Sequence, residues 1–141
     1  IKKFIAFGLV AVLVYHPVAA QGKLSKSLIL VREKKQVDTF ILENFKKNNL
    51  IISSRPGMYS VLNYGSVNFK YARSKRAHLI NDLKRHLYQN ILVIQHIEYA
   101  TSAPKVDHRF EGNFVLEKIY EFQNLGDYYL RISKLKLKHP L

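Results

Sequence analysis

Apolar and polar positions repeat along the chain with two different periods, and each period predicts a different kind of element. Between residues 34 and 48 the apolar positions are Val37, Phe40, Ile41 and Phe45, which lie along one face of a helix. Residues 67–72 and 114–122 instead alternate in character, as a strand with one buried face does. Residues 28–31 and 50–52 are short apolar runs that read as strands, and the mostly apolar segment 91–97 reads as a buried strand.

A second helix is predicted just after residue 74. Ser74 can cap its start, and Ile80, Leu83 and Leu87 form its apolar stripe. Turn signals occur at Ser54-Arg55-Pro56-Gly57 and at Asn124-Leu125-Gly126-Asp127. The latter predicts a hairpin between two strands.

The last predicted strand has an internal conflict in its pattern. Leu130 and Ile132 share one parity, whereas Leu135 and Leu137 share the other, so we expect a bulge or a strand end near Ser133. Taken together, the elements predict one α+β domain over residues 1–141. Its sheet is expected to be mostly antiparallel, with about six strands backed by about two helices.

Residues 1–20 admit three interpretations. Lys2 and Lys3 precede an apolar run at 4–15, and small residues follow up to Ala20, which is the layout of a secretory signal. A membrane span is disfavoured because the run is shorter than the roughly 20 apolar residues that a spanning helix needs. The third interpretation makes this run a buried strand or helix of the fold, and its alternate valines favour a strand.

Charge narrows the class of partner. The chain has 23 Lys and Arg against 10 Asp and Glu, a net charge of +13, and it contains no Cys. Without Cys there is no disulfide scaffold, thiolate metal site or Cys nucleophile. A strongly basic chain points to a polyanion, either nucleic acid or an anionic membrane surface.

The residues that could support catalysis are sparse. There is no phosphate-binding glycine loop, and His78 and His86 are too far apart on a helix to share a metal ion. His108 is interpreted as a solvated loop residue, and Glu117 and Glu121, on one face of a strand, as partners of cross-strand lysines. We therefore expect no enzyme activity, no cofactor, no bound metal and no small-molecule substrate.

Basic side chains gather at one predicted strand-to-helix junction and along the helix that follows it. Free N–H groups at a helix start favour phosphate, and a second basic row lies near the C-terminus. Charge on several elements suits a protein embedded in folded RNA. The candidate RNA-binding residues are Lys70, Arg73, Lys75, Arg76, Lys84, Arg85, Arg109, Lys134, Lys136 and Lys138.

Two segments carry a family resemblance. They read Gly65-Ser-Val-Asn-Phe-Lys-Tyr-Ala-Arg73, continued by Arg76-Ala-His-Leu-Ile-Asn-Asp-Leu83, and Phe110-Glu-Gly-Asn-Phe-Val-Leu116. Their order and spacing resemble the fifth protein of the large ribosomal subunit, a family that contacts 5S ribosomal RNA in bacteria. The resemblance implies an α+β fold, no catalysis, a place among ribosomal RNA and neighbouring ribosomal proteins, and residues 4–15 within the sheet.

The resemblance also indicates where this chain departs from the family. The family's basic loop that reaches toward transfer RNA is reduced here to residues 58–64, so a tRNA contact does not carry over. Shortened loops and drifted motifs suit an organellar version of the family. The leading hypothesis is therefore a structural constituent of the large subunit of a mitochondrial ribosome, located in the matrix.

Two alternatives remain open from the sequence. One is a secreted or periplasmic basic binding module whose signal peptide is cut near Ala20. The other is an accessory subunit of a membrane complex, with residues 4–15 in or near lipid. The N-terminus of the natural protein separates the first of these from the ribosomal hypothesis, and co-purification with membranes or with ribosomes separates the second.

Overall fold

The computed structural model describes residues 24–45, 48–59, 64–99, 112–123 and 125–139. The chain divides into two compact units, Ile1–Glu33 and Lys34–Leu141. In the first unit only residues 24–33 are described, and they are helical. The interpretations of residues 1–20, His108 and the candidate Arg109 all lie outside the described residues.

The second unit is built on a five-stranded mixed sheet. Its strands, in chain order, are β1 (Asn49–Ser53), β2 (Tyr64–Asn68), β3 (Asn90–Glu98), β4 (Phe114–Phe122) and β5 (Tyr128–Leu137). They lie in the order β2-β1-β3-β5-β4. β1 pairs parallel with β2 and β3, whereas β5 pairs antiparallel with β3 and β4. The α+β class is confirmed. The sheet is half parallel because helical connections from β1 to β2 and from β2 to β3 return the chain to the same end.

Helices cover both faces of this sheet. They are α1 (residues 24–44), α2 (Pro56–Tyr59), α3 (Phe69–Ser74) and α4 (Arg76–Lys84), so the described residues contain four helices instead of about two. The α3–α4 face buries Leu50, Ile52, Leu79, Ile91, Val93, Phe114 and Leu135. The opposite face, against α2 and residues 34–44 of α1, buries Val37, Ile41, Ile51, Tyr59, Leu92, Ile94, Leu130 and Ile132.

The strand end or bulge expected near Ser133 is not in β5, which runs unbroken from Tyr128 to Leu137. Its apolar set changes parity because the two ends of the strand are buried on opposite faces: Leu130 and Ile132 under α1 and α2, Leu135 under α3 and α4. The irregularity lies in the partner strand instead, between Lys118 and Tyr120 of β4.

The bulge in β4 has a packing consequence. It places Tyr120 and Phe122 opposite Ile132 and Leu130, on the face that α1 covers. There Phe40 of α1 stacks on Tyr120 with ring centroids 4.7 Å apart. Stacking of this kind contributes stability beyond that of the buried ring area. The bulge in β4 and the packing of α1 therefore stabilise one another.

Two strand predictions were wrong. Residues 28–31, predicted as a strand, are part of α1, since a short apolar run fits a helix as well as a strand. The strand predicted through Tyr71 ends at Asn68. The Asn68 side chain accepts a hydrogen bond from the Tyr71 N–H at 2.7 Å and caps α3, a strong helix-start signal.

The second predicted helix is also placed differently. Lys75, not Ser74, is the N-cap of α4, and the Ser74 hydroxyl instead donates to the Tyr71 carbonyl. α4 ends at Lys84, and His86 follows with a positive φ of 53°. Leu87 therefore leaves the apolar stripe and is 53% exposed, while Leu79 is buried.

Candidate nucleic-acid interface

The outer side of α3 and α4 is the most basic part of the described chain. Residues 69–86 hold six Lys and Arg against one Asp. Five of the six cations are exposed. We call these five the α3–α4 surface: Lys70, Arg73, Lys75, Lys84 and Arg85.

The five cations of the α3–α4 surface share a second property. Within the described part of the chain, none of them has an ion pair or a side-chain hydrogen bond. Both short helices present them outward because their other sides bury Phe69, Ala72 and Leu79 against the sheet. The charge on this layer is consequently exposed to solvent and available to an anion.

Arg76, the sixth cation, is directed into the fold. Its guanidinium donates to the side-chain oxygen of Asn113 at 3.1 Å and lies 5.4 Å from the ring centroid of Phe114. A Cβ on Gly112 would come within 2.7 Å of this guanidinium, and Gly112 has a φ of +96°. Arg76 therefore fastens α4 to the start of β4. It joins the two segments on which the family resemblance depends.

The C-terminal basic row lies apart from the α3–α4 surface. Lys134 and Lys136 alternate with Leu135 and so point to the opposite face of the sheet. Lys136 is bound to Glu117 at 2.7 Å, and Lys134 lies directly across from the same glutamate. Lys138 is exposed just beyond β5. The structure thus does not bring the predicted cations together on one surface.

Glu117 and Glu121 do not share a face, contrary to the sequence prediction, because the β4 bulge lies between them. Glu121 lies opposite Arg131 and accepts from its Nε at 2.7 Å, with Lys118 a further 3.9 Å contact. Glu117 is held by Lys136 on the other face. Each glutamate balances cations across or along the hairpin, as the sequence indicated.

Sequence reasoning missed a polar cluster at the carboxyl ends of β1 and β3. The Ser54 hydroxyl lies 3.1 Å from His96 Nδ1, the His96 and Tyr128 rings are 5.3 Å apart, and Arg55 lies over the Tyr128 ring at 5.9 Å. Ligands of sheets with parallel strands bind beyond such ends. The only sequence signal was the polar Ser53-Ser54-Arg55 that directly follows an apolar strand.

Sequence reasoning also missed a groove of about 350 Å³ beside the α3–α4 surface. Its floor is apolar and is formed by Leu50, Val67, Ala72 and Leu79. Its rim is polar and aromatic, and consists of Tyr71, Lys75, His78, Asp82 and Tyr88. These residues come from two strands, two helices and the segments that directly follow the helices, so no local pattern in the sequence could have indicated the groove.

The described residues contain no group of three or more His, Cys, Asp or Glu side chains that could hold a metal ion. None of the described helices has the length and apolar character that crossing a membrane requires. No protein-family model, curated protein or solved structure matches the chain.

Proposed function

We propose that the protein binds RNA through the α3–α4 surface and has a structural role. The observation that carries the proposal is that five exposed cations on two adjacent helices have no carboxylate partner in the described chain. Like charges held on one rigid layer repel one another, and a bound polyanion relieves that repulsion. The fold thereby keeps the cations in a fixed arrangement that a chain of phosphates can match.

The mechanism is neutralisation of phosphate charge. Each Lys or Arg that contacts a phosphate displaces a condensed counterion, so affinity falls with rising salt by about 0.7 units of log–log slope per contact on a single strand. Such contacts position an RNA without reading its sequence. The second basic area, around Lys134, Lys136 and Lys138, lies on the other side of the sheet and would contact a different RNA segment.

The particular RNA that we propose is ribosomal RNA of the large subunit of a mitochondrial ribosome. Support comes from the resemblance of residues 65–88 and 110–122 to the fifth large-subunit protein family. The proposal predicts that the natural protein sediments with large-subunit RNA in moderate salt. If the protein sediments apart from ribosomal particles but still binds RNA in vitro, the ribosomal part of the proposal is wrong and the RNA-binding part stands.

The RNA-binding part is tested with two charge-matched double variants. Arg73→Gln with Lys75→Gln removes two unpaired cations from the α3–α4 surface, and Lys134→Gln with Lys136→Gln removes two from β5. Fluorescence anisotropy of a labelled RNA across a salt series gives the slope for each. We expect the first pair to lower the slope by about 1.4 and the second to lower it much less. Equal slopes for both variants and the wild type would contradict the assignment.

A second candidate function, association with a membrane surface, is supported by the exposed apolar residues of α1 in the first unit. Leu24, Leu28 and Val31 lie on one face of α1 and are 60%, 66% and 66% exposed. The exposed cations Lys26 and Arg32 flank them. An exposed apolar stripe beside basic residues is typical of a helix that lies on an anionic membrane surface.

One comparison separates the two candidates. Vesicles that contain phosphatidylserine are offered to the wild type and to Leu28→Ser/Val31→Ser, and the same two proteins are offered to RNA. If membrane association is the function, the variant loses vesicle binding and keeps RNA binding. If the RNA function holds, RNA binding by both proteins exceeds vesicle binding at physiological salt.

A further inference from the structure

The groove beside α4 contains one side chain that the RNA-binding surface does not explain. Asp82 is the only acidic residue in 69–86 and is half-buried on the groove rim. Its carboxylate has no ion pair or hydrogen bond in the described chain. An ionised carboxylate only accepts hydrogen bonds. A ligand that fills this groove must therefore bring donors to Asp82.

Two basic residues, Lys75 and His78, line the groove together with Asp82. Lys75, His78 and Asp82 are spaced at i, i+3 and i+7, and all three line the groove. Lys75 also belongs to the α3–α4 surface. A ligand with a donor-bearing end at Asp82 and an anionic end at Lys75 would satisfy both charges at once.

The remaining walls favour a flat, partly apolar ligand. Tyr71, which is 54% exposed, and the half-buried Tyr88 contribute aromatic rings. Leu50, Val67 and Leu79 make the floor. Unpaired bases stack on such rings and present their Watson–Crick edges to polar side chains.

Among the four bases, guanine matches the carboxylate. Its N1–H and N2–H groups are adjacent donors, so they can pair with both carboxylate oxygens. Adenine and cytosine place a ring acceptor beside their amino donor, and uracil has acceptors on both sides of its single N–H. For these three bases an acceptor would face a carboxylate oxygen, which is repulsive and selects against them.

We propose that this groove binds a guanine base, with the attached phosphate at Lys75. The inference rests on the proposed RNA function, because it assigns one base-reading position to the α3–α4 surface. The same chemistry is present in a free guanosine nucleotide, so the test includes both sources.

The test compares an oligouridylate with the same oligomer carrying one central guanosine, both measured by anisotropy, and a separate titration with GMP. We expect the wild type to bind the guanosine oligomer about tenfold more tightly. Asp82→Asn should abolish this preference and leave oligouridylate binding equal or slightly stronger, because a negative charge is removed. Asp127→Asn, the same change at an exposed turn outside the groove, should keep the preference.

A second variant makes the test independent of Asp82. Tyr71→Ala removes an exposed ring, and we expect it to weaken guanosine-oligomer binding more than oligouridylate binding. Thermal melts confirm that each variant is folded. Equal affinity of the wild type for the two oligomers, with normal salt dependence, would overturn the groove proposal and leave the RNA function standing.

The GMP titration covers the remaining case. If neither oligomer binds but GMP binds in an Asp82-dependent manner, the RNA function fails and the groove stands as a nucleotide site. If GMP and both oligomers all fail to bind, both proposals are overturned.

Discussion

The α3–α4 surface and the β4–β5 hairpin are both basic, but they differ in how many of their cations are paired with carboxylates. Residues 69–86 hold six cations and one Asp, whereas residues 114–138 hold five cations and three acidic residues. In the hairpin both glutamates are bound by Lys or Arg across the strands. On the helices five cations have no partner in the described chain. Formal charge alone does not distinguish a binding surface from a balanced one.

The difference has a structural origin. Antiparallel pairing brings side chains of two strands within reach of one another, so a Glu on β4 meets a Lys or Arg on β5. Two short helices have no such partner strand beside their outer sides. Exposed ion pairs contribute only about 0–1 kcal/mol each. The exposed Lys136–Glu117 pair therefore cancels charge more than it stabilises the fold.

Removing the whole α3–α4 surface should have the largest effect on binding. Replacing Lys70, Arg73, Lys75, Lys84 and Arg85 by Gln should lower the salt slope of RNA binding by about 3.5, from about 0.7 per lost contact. Anisotropy against salt measures it. A variant with Lys118, Lys134, Lys136 and Lys138 replaced by Gln is the comparison. If that variant loses more slope, the hairpin is the binding surface.

Substitutions at Arg76 and Arg73 should affect different quantities: the first the stability of the fold, the second the binding of RNA. Arg76→Gln removes the bond to Asn113 and the contact with the Phe114 ring, so we expect about 1–2 kcal/mol less stability with little change of salt slope. Arg73→Gln, at an exposed position, should lower the slope by about 0.7 and change stability by less than about 0.5 kcal/mol. Urea unfolding and anisotropy report the two quantities. The reverse pattern would show that Arg76 is the RNA contact.

Gly112 tests the positive-φ turn that lies against the Arg76 guanidinium. Gly112→Ala places a Cβ within 2.7 Å of the guanidinium at a φ of +96°, so we expect a loss of about 1 kcal/mol or more. Gly57→Ala is the matched control, because nothing lies within 4 Å of its Cβ. Its position in α2 predicts no loss, or a gain of up to about 1 kcal/mol. Equal thermal midpoints for both variants would contradict this account.

The smallest expected effect is an increase in the salt slope of RNA binding. Glu117→Gln releases Lys136 from its carboxylate, so the hairpin should resemble the α3–α4 surface more closely. We expect the salt slope to rise by up to about 0.7 and stability to fall by less than about 1 kcal/mol. The measurement is again anisotropy, with Asp127→Asn as a change of charge away from Lys136. If the salt slope does not rise, the RNA does not contact this side of β5.

Sequence pattern predicted elements wherever one period dominated. The helix predicted at 34–48 is confirmed over residues 34–44, and the runs that became β1 and β3 and the hairpin of β4 and β5 are confirmed as well. It failed at residues 28–31, which are helical, at Asn68, which caps a helix inside a predicted strand, and at the end of α4, which comes at Lys84, before Leu87. One capping side chain can outweigh several residues of strand pattern because it satisfies a backbone N–H at the helix end.

For the candidate site, the sequence identified the cations but not their surroundings. Arg73 and Arg76 are three residues apart and chemically identical, yet one is exposed and the other is bonded to Asn113. Lys75 and Asp82 are both visible in the sequence, but the groove they line also needs Leu50 and Val67 from two strands. Contacts between distant segments are not encoded in any local period.

The sequence by itself determined that the chain is basic, that it has no cysteine, and that it contains both helices and strands. Composition and periodicity are local properties, so they can be read from the sequence. Only the tertiary structure decided which charges are neutralised and which are exposed. The register of β4 against β5 and the layering of helices on both faces set those neighbours. Ion pairs and hydrogen bonds form only when their atoms lie within a few ångströms, so they depend on which residues the fold brings together.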